Sequence, residues 1–328
     1  MRRPRAALLA ILLATAPAAC GGDPAGPPAS PSPAAPAPPA PTFEVGRTYL
    51  GRDGYVEYVP GDAPVILTAA HGGALAPAAI PDRTPARCGG EATTATDLNT
   101  VALARAMRER YRARLGRAPH LVLVHLSRTK LDANRAAAEA ACGDAAAERA
   151  LAEWHAFVDA ARAAVGAAWQ RGLLLDVHGH AHAVARLELG YLLSGAQLDL
   201  ADAALDADPR LEDASSVREL SRAAPASFAA LLRGPAALGT LYARRGFAAV
   251  PSAADPSPRG APYFSGGETT RRHGCAAGGA VCAVQVEAPL PGVRDDAASR
   301  DRFGDATALV LEEYLATHWG LRLAPAAR

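Results

Sequence analysis

Between Phe43 and Leu323 the chain alternates short apolar runs with longer stretches of helical periodicity. Pro64 to Ala70, Leu121 to Val124, Leu173 to Val177 and Ala283 to Glu287 are apolar runs of strand length, and they predict buried strands. Tyr55 to Val59 alternates like an edge strand, and Glu188 to Leu193 predicts a further strand. Asp97 to Leu115 is helical, with Val101, Leu103, Ala104 and Met107 on its apolar face and Thr96 or Asp97 placed to cap it. Residues 136 to 170 predict helix with a break near Cys142–Gly143. Residues 216 to 246 predict two short helices separated by Gly234–Pro235, and Asp301 to Trp319 a closing helix. The Pro-, Gly- and Thr-rich residues 74 to 96 predict a loop. Strands alternating with helices, and no internal repeat, predict an α/β fold: a three-layer αβα sandwich around a central sheet.

Before Phe43 the pattern changes. Arg2, Arg3 and Arg5 precede an apolar stretch from Ala6 to Thr15, and Ala16-Pro17-Ala18-Ala19-Cys20 follows. A basic start, an apolar run too short to span a bilayer and a small-residue zone predict an export signal over residues 1 to 20. Cys20 directly after Ala18-Ala19 resembles the lipidated cysteine of a bacterial lipoprotein, although Pro17 stands where such signals carry Leu. Ordinary secretion is the alternative. Residues 21 to 42, rich in Pro, Ala and Ser, predict a disordered tether, leaving 43 to 323 as one folded domain. Membrane contact is therefore expected only through an N-terminal lipid.

Composition adds three constraints. The formal net charge of +1, without a basic cluster, argues against nucleic acid as a partner. Half of the 328 residues are hydrophobic, enough for a sizeable core. Setting Cys20 aside leaves Cys88, Cys142, Cys275 and Cys282, an even count that predicts disulfides in an exported chain. The short CAAGGAVC loop favours Cys275 with Cys282, which leaves Cys88 for Cys142.

The candidate chemistry lies where apolar strands end. Leu173-Leu174-Leu175 runs into Asp176, His178, His180 and His182, and Val65-Ile66-Leu67-Thr68 ends in Ala69-Ala70-His71-Gly72-Gly73. Ionisable groups at the ends of buried strands are costly unless something uses them. A lone histidine is more often a hydrogen-bonded structural residue. Two strand ends that each deliver one to a glycine-rich tip point instead to a metal-hydrolase site, because imidazole is a common zinc ligand. His178 lies nearest its strand and is taken as the ligand; His180 and His182 are left as pocket residues or partners of the ligands. In an open α/β sheet, ligands gather at the carboxyl ends of strands. That collects His71, the Arg128-to-Arg135 segment, Asp176, His178 and Glu287, a set suited to a zinc amidohydrolase. Glu287, ending a buried strand, is the candidate general base, against a plain buried carboxylate paired with Arg271. No G-x-S-x-G elbow supports a serine hydrolase.

Four segments in order, TAAHGG (68–73), SRTKLDANR (127–135), LLDVHGHAH (174–182) and YFSGGETTRRHG (263–274) with QVE (285–287), resemble the N-formylglutamate amidohydrolase family, itself distantly similar to zinc carboxypeptidases. The resemblance implies a phosphorylase/hydrolase-like αβα fold with a mixed central sheet and one catalytic zinc. It makes His71 and His178 zinc ligands. Zinc carboxypeptidases place a Glu three residues after the first His, but Ala74 stands there. The resemblance points instead to Asp97, with Glu91 as runner-up and a helix cap as the ordinary explanation of Asp97. Asn134–Arg135 resembles the pair that holds a substrate carboxylate in zinc carboxypeptidases, a task suited to a bidentate guanidinium. Arg128 and Arg271 are further candidates for carboxylate or oxyanion contacts. Asp132 is expected to orient Arg135 or cap a turn, Asp176 to support His178, and Gly266-Gly267 to admit substrate close to the backbone. The expected substrate is a small or peptide-like molecule carrying a carboxylate beside the scissile amide. The alternative is a lipid-tethered solute-binding protein on the same fold without turnover, and the sequence fixes no oligomeric state.

Overall fold

A computed structural model of the chain describes residues 42 to 323. The expected export signal, Cys20 and all of the tether but Thr42 lie outside the described residues. One sheet of eight strands organises the rest: β1 (Tyr49–Leu50), β2 (Val56–Val59), β3 (Val65–Ala69), β4 (His120–Val124), β5 (Gly172–His180), β6 (Leu187–Gly190), β7 (Ala249–Val250) and β8 (Val281–Pro289). Their spatial order is β1-β2-β4-β3-β5-β8-β6-β7. The central strands β4, β3, β5 and β8 run parallel, whereas β2 pairs antiparallel with β4 and β6 antiparallel with β8. The sheet is therefore mixed.

Side-chain alternation creates the layers. Val65, Leu67, Leu173, Leu175 and Val177 face one side, where they join Leu103 and Met107 of the Thr100–Leu115 helix and Phe303, Val310 and Leu311 of the Ala297–Trp319 helix. Ile66, Val122, Val124 and Leu174 face the other side and meet Trp154 and Val158 of the Ala145–Trp169 helix. Each parallel strand is thus apolar on both faces, which is why these segments read as continuous apolar runs. The three-layer α/β architecture is the expected one, and the helical break at Cys142–Gly143 separates Ala137–Ala141 from Ala145–Trp169. Cys88 bonds Cys142 and Cys275 bonds Cys282. Among the described residues no helix is long and apolar enough to cross a membrane.

Several local expectations are corrected. The Tyr55–Val59 segment is not an edge strand: β1 pairs outside it, and all of β2 is buried. Phe43 and Phe157 pack on Tyr58, and Glu57 accepts a two-pronged bond from Arg105 and one from His125, so its polar positions are satisfied internally. Burial alone would raise the Glu57 carboxyl; these partners bring it down to about 2. The helix expected from Asp97 starts at Thr100, with Asn99 before it in the left-handed region at φ 67°. Neither Thr96 nor Asp97 caps it, and the Asp97 carboxylate turns to the site instead. Residues 216 to 246 form three helices, Arg218–Ala223, Phe228–Arg233 and Leu238–Arg244, of which Gly234–Pro235 separates the last two.

Candidate metal centre

The carboxyl ends of β3, β5 and β8 meet at one point. β3 delivers His71 two residues past its last strand position, and the chain then turns through Gly72 and Gly73. A side chain at Gly73 would collide with the carbonyls of His125 and Leu126, and one at Gly72 with Thr100 and Val101. The two glycines therefore let this turn pass between the β4 exit and the helix start. β5 continues further than expected, to His180, so Asp176 and His178 sit in regular strand register beside Gln285 and Glu287 of β8.

His71, Asp97 and His178 bring one ligand atom each within 4.8 Å of one another, and all three are buried. Both imidazoles turn Nδ1 toward Asp97. His71 Nδ1 lies 3.4 Å and His178 Nδ1 3.1 Å from Asp97 Oδ2. Their other nitrogens are held by separate carboxylates: His71 Nε2 by Asp132 Oδ1 at 2.6 Å, His178 Nε2 by Asp176 Oδ2 at 2.9 Å. Asp176 is fixed in turn by the Thr68 hydroxyl, which donates to its Oδ1 at 2.7 Å. His71 Nδ1 is buried and makes no hydrogen bond. An orphaned imidazole nitrogen facing a carboxylate and a second imidazole, with a carboxylate behind each ring, fits a divalent metal and the partners that orient its ligands. Burial opposes the charge on Asp97, but the hydrogen bond with His178 and the nearness of His71 hold its carboxyl far below the usual range. Burial likewise opposes charge on His178, and Asp176 and Asp97 together raise it well above the ordinary imidazole range.

Glu287 faces this cluster from β8. It is buried, and burial lifts its carboxyl to about 8 in spite of the nearby His178. Its Oε1 accepts from Gln285 Nε2 at 2.9 Å, while Gln285 Oε1 lies 3.5 Å from Asn134 Nδ2. Asn134 Oδ1 accepts the Thr269 N–H at 2.8 Å. The backbone of the Glu268–His273 helix is thereby wired through Asn134 and Gln285 to Glu287. The cavity above the cluster, about 90 Å³, is lined by these groups together with Arg128, Arg135, Gly179, Phe264, Gly266 and Gly267. A side chain at Gly267 would overlap the Asn134 carboxamide, so this glycine is required by the wiring as much as by any substrate.

The structure gathers His71, Asp97, His178, Glu287, Arg128, Asn134 and Arg135, and it leaves out two candidates. Arg271 is exposed, pairs with Glu268 at 3.0 Å and lines a different cavity with Leu192 and Asp213. It does not line the cavity above the cluster, and it pairs with Glu268 rather than Glu287. Glu91 is exposed in the 74–96 loop and takes no part. Asp132 caps the turn by accepting the Asn134 N–H at 3.1 Å, but it does not bond Arg135: it also holds His71 and accepts from Arg128 Nε at 2.9 Å. Arg128 also lies 3.6 Å from Asp97, so its charge serves the site's own carboxylates. Arg135 makes no ion pair among the described residues; its Nη1 donates only to the Asn134 carbonyl at 3.2 Å. His180 and His182 are outside this cavity. Gln285, Phe264 and Glu188 escaped the sequence reading. The alternation of Gln285 with Glu287 on one strand could have revealed the first; the other two depend on how β6 and the 261–267 loop pack.

No family profile matches the sequence, and no curated protein matches it. Solved structures do. A gene product, Atu2144, from Agrobacterium tumefaciens is similar at 16% identity and a TM-score of 0.44, covering 80% of this chain and 94% of that one. An N-formylglutamate amidohydrolase from Ralstonia eutropha JMP134 is similar at 15% identity and a TM-score of 0.41, covering 80% of this chain and 99% of that one.

Proposed function

We propose that this chain is a zinc-dependent hydrolase that cleaves an amide bond next to a substrate carboxylate. The observation that carries the reading is the orphaned His71 Nδ1, buried against Asp97 and His178 with Asp132 locked behind its ring. His71, Asp97 and His178 would hold the zinc. A zinc ion there would supply Lewis-acid activation of a carbonyl and of water.

The protein's own groups provide the rest. Glu287 is the base: its Oε1 is occupied by Gln285, so Oε2 takes the proton from the attacking water and later returns it to the leaving amine. A carboxyl lifted toward neutrality by burial suits both halves of that transfer. Arg135, lining the cavity without a carboxylate of its own, receives the substrate carboxylate. Arg128 fixes Asp132 and Asp97 and thereby the imidazole behind which Asp132 stands. A solute-binding protein without turnover would use Arg135 but has no need of the orphaned imidazole or of Glu287.

The likeness of the four segments to N-formylglutamate amidohydrolases favours acylated amino acids as the substrate class. The export signal read from the first 20 residues, and lipidation at Cys20, would put the enzyme outside the cytosol. There an N-acyl amino acid, a γ-glutamyl compound or a cell-wall peptide fits better than formylglutamate. The test is metal analysis of the protein purified without chelator, followed by a screen of N-acyl amino acids, γ-glutamyl compounds and small peptides. Metal-dependent release of a free amine supports the reading. A protein that binds carboxylates but hydrolyses none of them, with or without zinc, overturns it.

A further inference from the structure

The motif HGHAH contributes only its first histidine to the centre described above. Its other two build a support under Phe264. His180 is buried at the end of β5; its Nε2 donates to the Arg186 carbonyl at 2.8 Å, and its Nδ1 accepts the His182 backbone N–H at 3.1 Å. His182 is fixed in this way, and its Nδ1 donates to Glu188 Oε1 at 2.8 Å. The other oxygen of the buried Glu188 accepts the Phe264 N–H at 2.9 Å. The His182 ring then stacks on the Phe264 ring, with centroids 4.7 Å apart and planes 18° from parallel. The residues on either side are tied down as well. Tyr263 donates its hydroxyl to the Leu189 carbonyl at 2.6 Å, and the Ser265 carbonyl accepts the Leu192 N–H at 2.6 Å.

Held from behind in this way, Phe264 is still 44% exposed. Exposure of a single ring means little by itself. Position gives it meaning: among the described residues, Phe264 is the one apolar side chain that lines the cavity above the metal centre. That cavity is about 90 Å³, well below the roughly 300–1,000 Å³ of sites that enclose a small ligand. A substrate with its amide at the centre must therefore extend past the rim. In the sheet, Arg135 follows β4 and Phe264 is tied to β6, with β3, β5 and β8 between them. The carboxylate and the acyl group of an N-acyl amino acid lie on opposite sides of the scissile bond, as these two residues flank the centre. We propose that Phe264 receives the acyl group, so that the preferred substrate carries an aromatic or aliphatic acyl group rather than a formyl or acetyl one. This rests on the amide-hydrolase reading above and narrows its substrate class. His182 and Glu188 are positioning residues that present the ring.

The experiment compares the N-benzoyl and N-acetyl forms of one amino acid on the full chain with zinc added. Calorimetry in a Glu287→Gln background, which removes the proposed base, reads binding without turnover. That parent should bind the benzoyl form about tenfold more tightly, near the upper end for one aromatic pair. Adding Phe264→Ala should erase the preference, and adding Phe264→Tyr should keep it. His182→Ala should reduce the preference, and His182→Phe, which restores a ring to stack on, should recover it. A preference unchanged by Phe264→Ala, in a variant with the parent's circular dichroism, overturns the inference. So does a parent that shows no preference or binds neither form. A preference untouched by His182→Ala overturns the positioning role. Wild-type kinetics separates this inference from the reaction. A Phe264-dependent preference in binding, without release of the free amino acid, keeps the acyl site and defeats the hydrolase reading. Hydrolysis of both forms at equal kcat/KM keeps the hydrolase and defeats the acyl site.

Discussion

His71 and Asp132 are joined at 2.6 Å, Nε2 to Oδ1, with the opposite face of the imidazole left without a hydrogen-bond partner. Asp132 is fully buried and is held in place by Arg128 and by the Asn134 N–H at 3.1 Å. Burial would favour its neutral acid, but the bond to His71 and the charge of Arg128 hold its carboxyl far below the ordinary range. The pair therefore sets which His71 nitrogen faces Asp97. Asp132→Asn should keep the fold and weaken zinc binding at this centre about 10–100-fold, the usual cost of losing a carboxylate behind a ligating imidazole. Competition against a fluorescent zinc chelator reads this directly, and unchanged affinity would mean that the carboxylate only packs the turn.

Glu287→Gln tests the proton path. The substitution keeps the shape and the Gln285 contact while removing the atom that accepts the proton. Hydrolysis should fall roughly 10²–10⁴-fold, about 3–5 kcal/mol of barrier, with zinc content unchanged. Near-wild-type turnover in a metal-replete variant would remove Glu287 as the base and shift attention to Asp176.

The contrast between these two residues shows how far the sequence reaches. Glu287 and His178 ended apolar runs, so their burial and their placement at strand ends were legible from periodicity alone. The order of the parallel strands then made them neighbours, in register at the β5–β8 pairing. Asp132 was visible too, but its role was not, because nothing local links it to His71, 61 positions earlier. Arg271 misled for the opposite reason: a short helix after a glycine pair carries its side chain outward to Glu268, and sequence does not reveal which way such a helix turns. Glu188 needed the antiparallel return of β6 onto β8, a long-range pairing with no signature in the chain. Asp97 is not the helix cap, because the helix starts three residues later, at Thr100, and leaves the carboxylate facing His71 and His178.

Arg135→Lys should raise KM for a carboxylate-bearing substrate with less effect on kcat, because lysine keeps the charge but loses the two-pronged grip. Arg271→Lys, on the other cavity, should leave both constants within twofold. Steady-state kinetics on one hydrolysed N-acyl amino acid decides the matter. Equal KM effects from the two substitutions would show that the substrate lies across both cavities.

The last expectation concerns acid stability, far from the centre. His120 is buried on β4, and its Nδ1 lies 2.9 Å from the Tyr58 hydroxyl. Burial is the main cause that lowers its pKa from 6.5 to about 4, and the neutral ring accepts from Tyr58, whose own pKa burial raises. The unfolded chain therefore binds this proton first as pH falls. The stability contributed by the neutral ring is complete above about pH 6.5 and is lost progressively as pH drops toward about 4. A shift of this size corresponds to about 3 kcal/mol. His155 and His273 are lowered to about 4 as well, so the wild-type decline sums several groups. The difference between proteins isolates His120. Urea unfolding at pH 7 and at pH 4.5 should show a smaller acid loss in His120→Gln than in wild type, although the variant is less stable at pH 7. An identical acid loss in both would mean that His120 takes up its proton in the folded state as readily as in the unfolded chain.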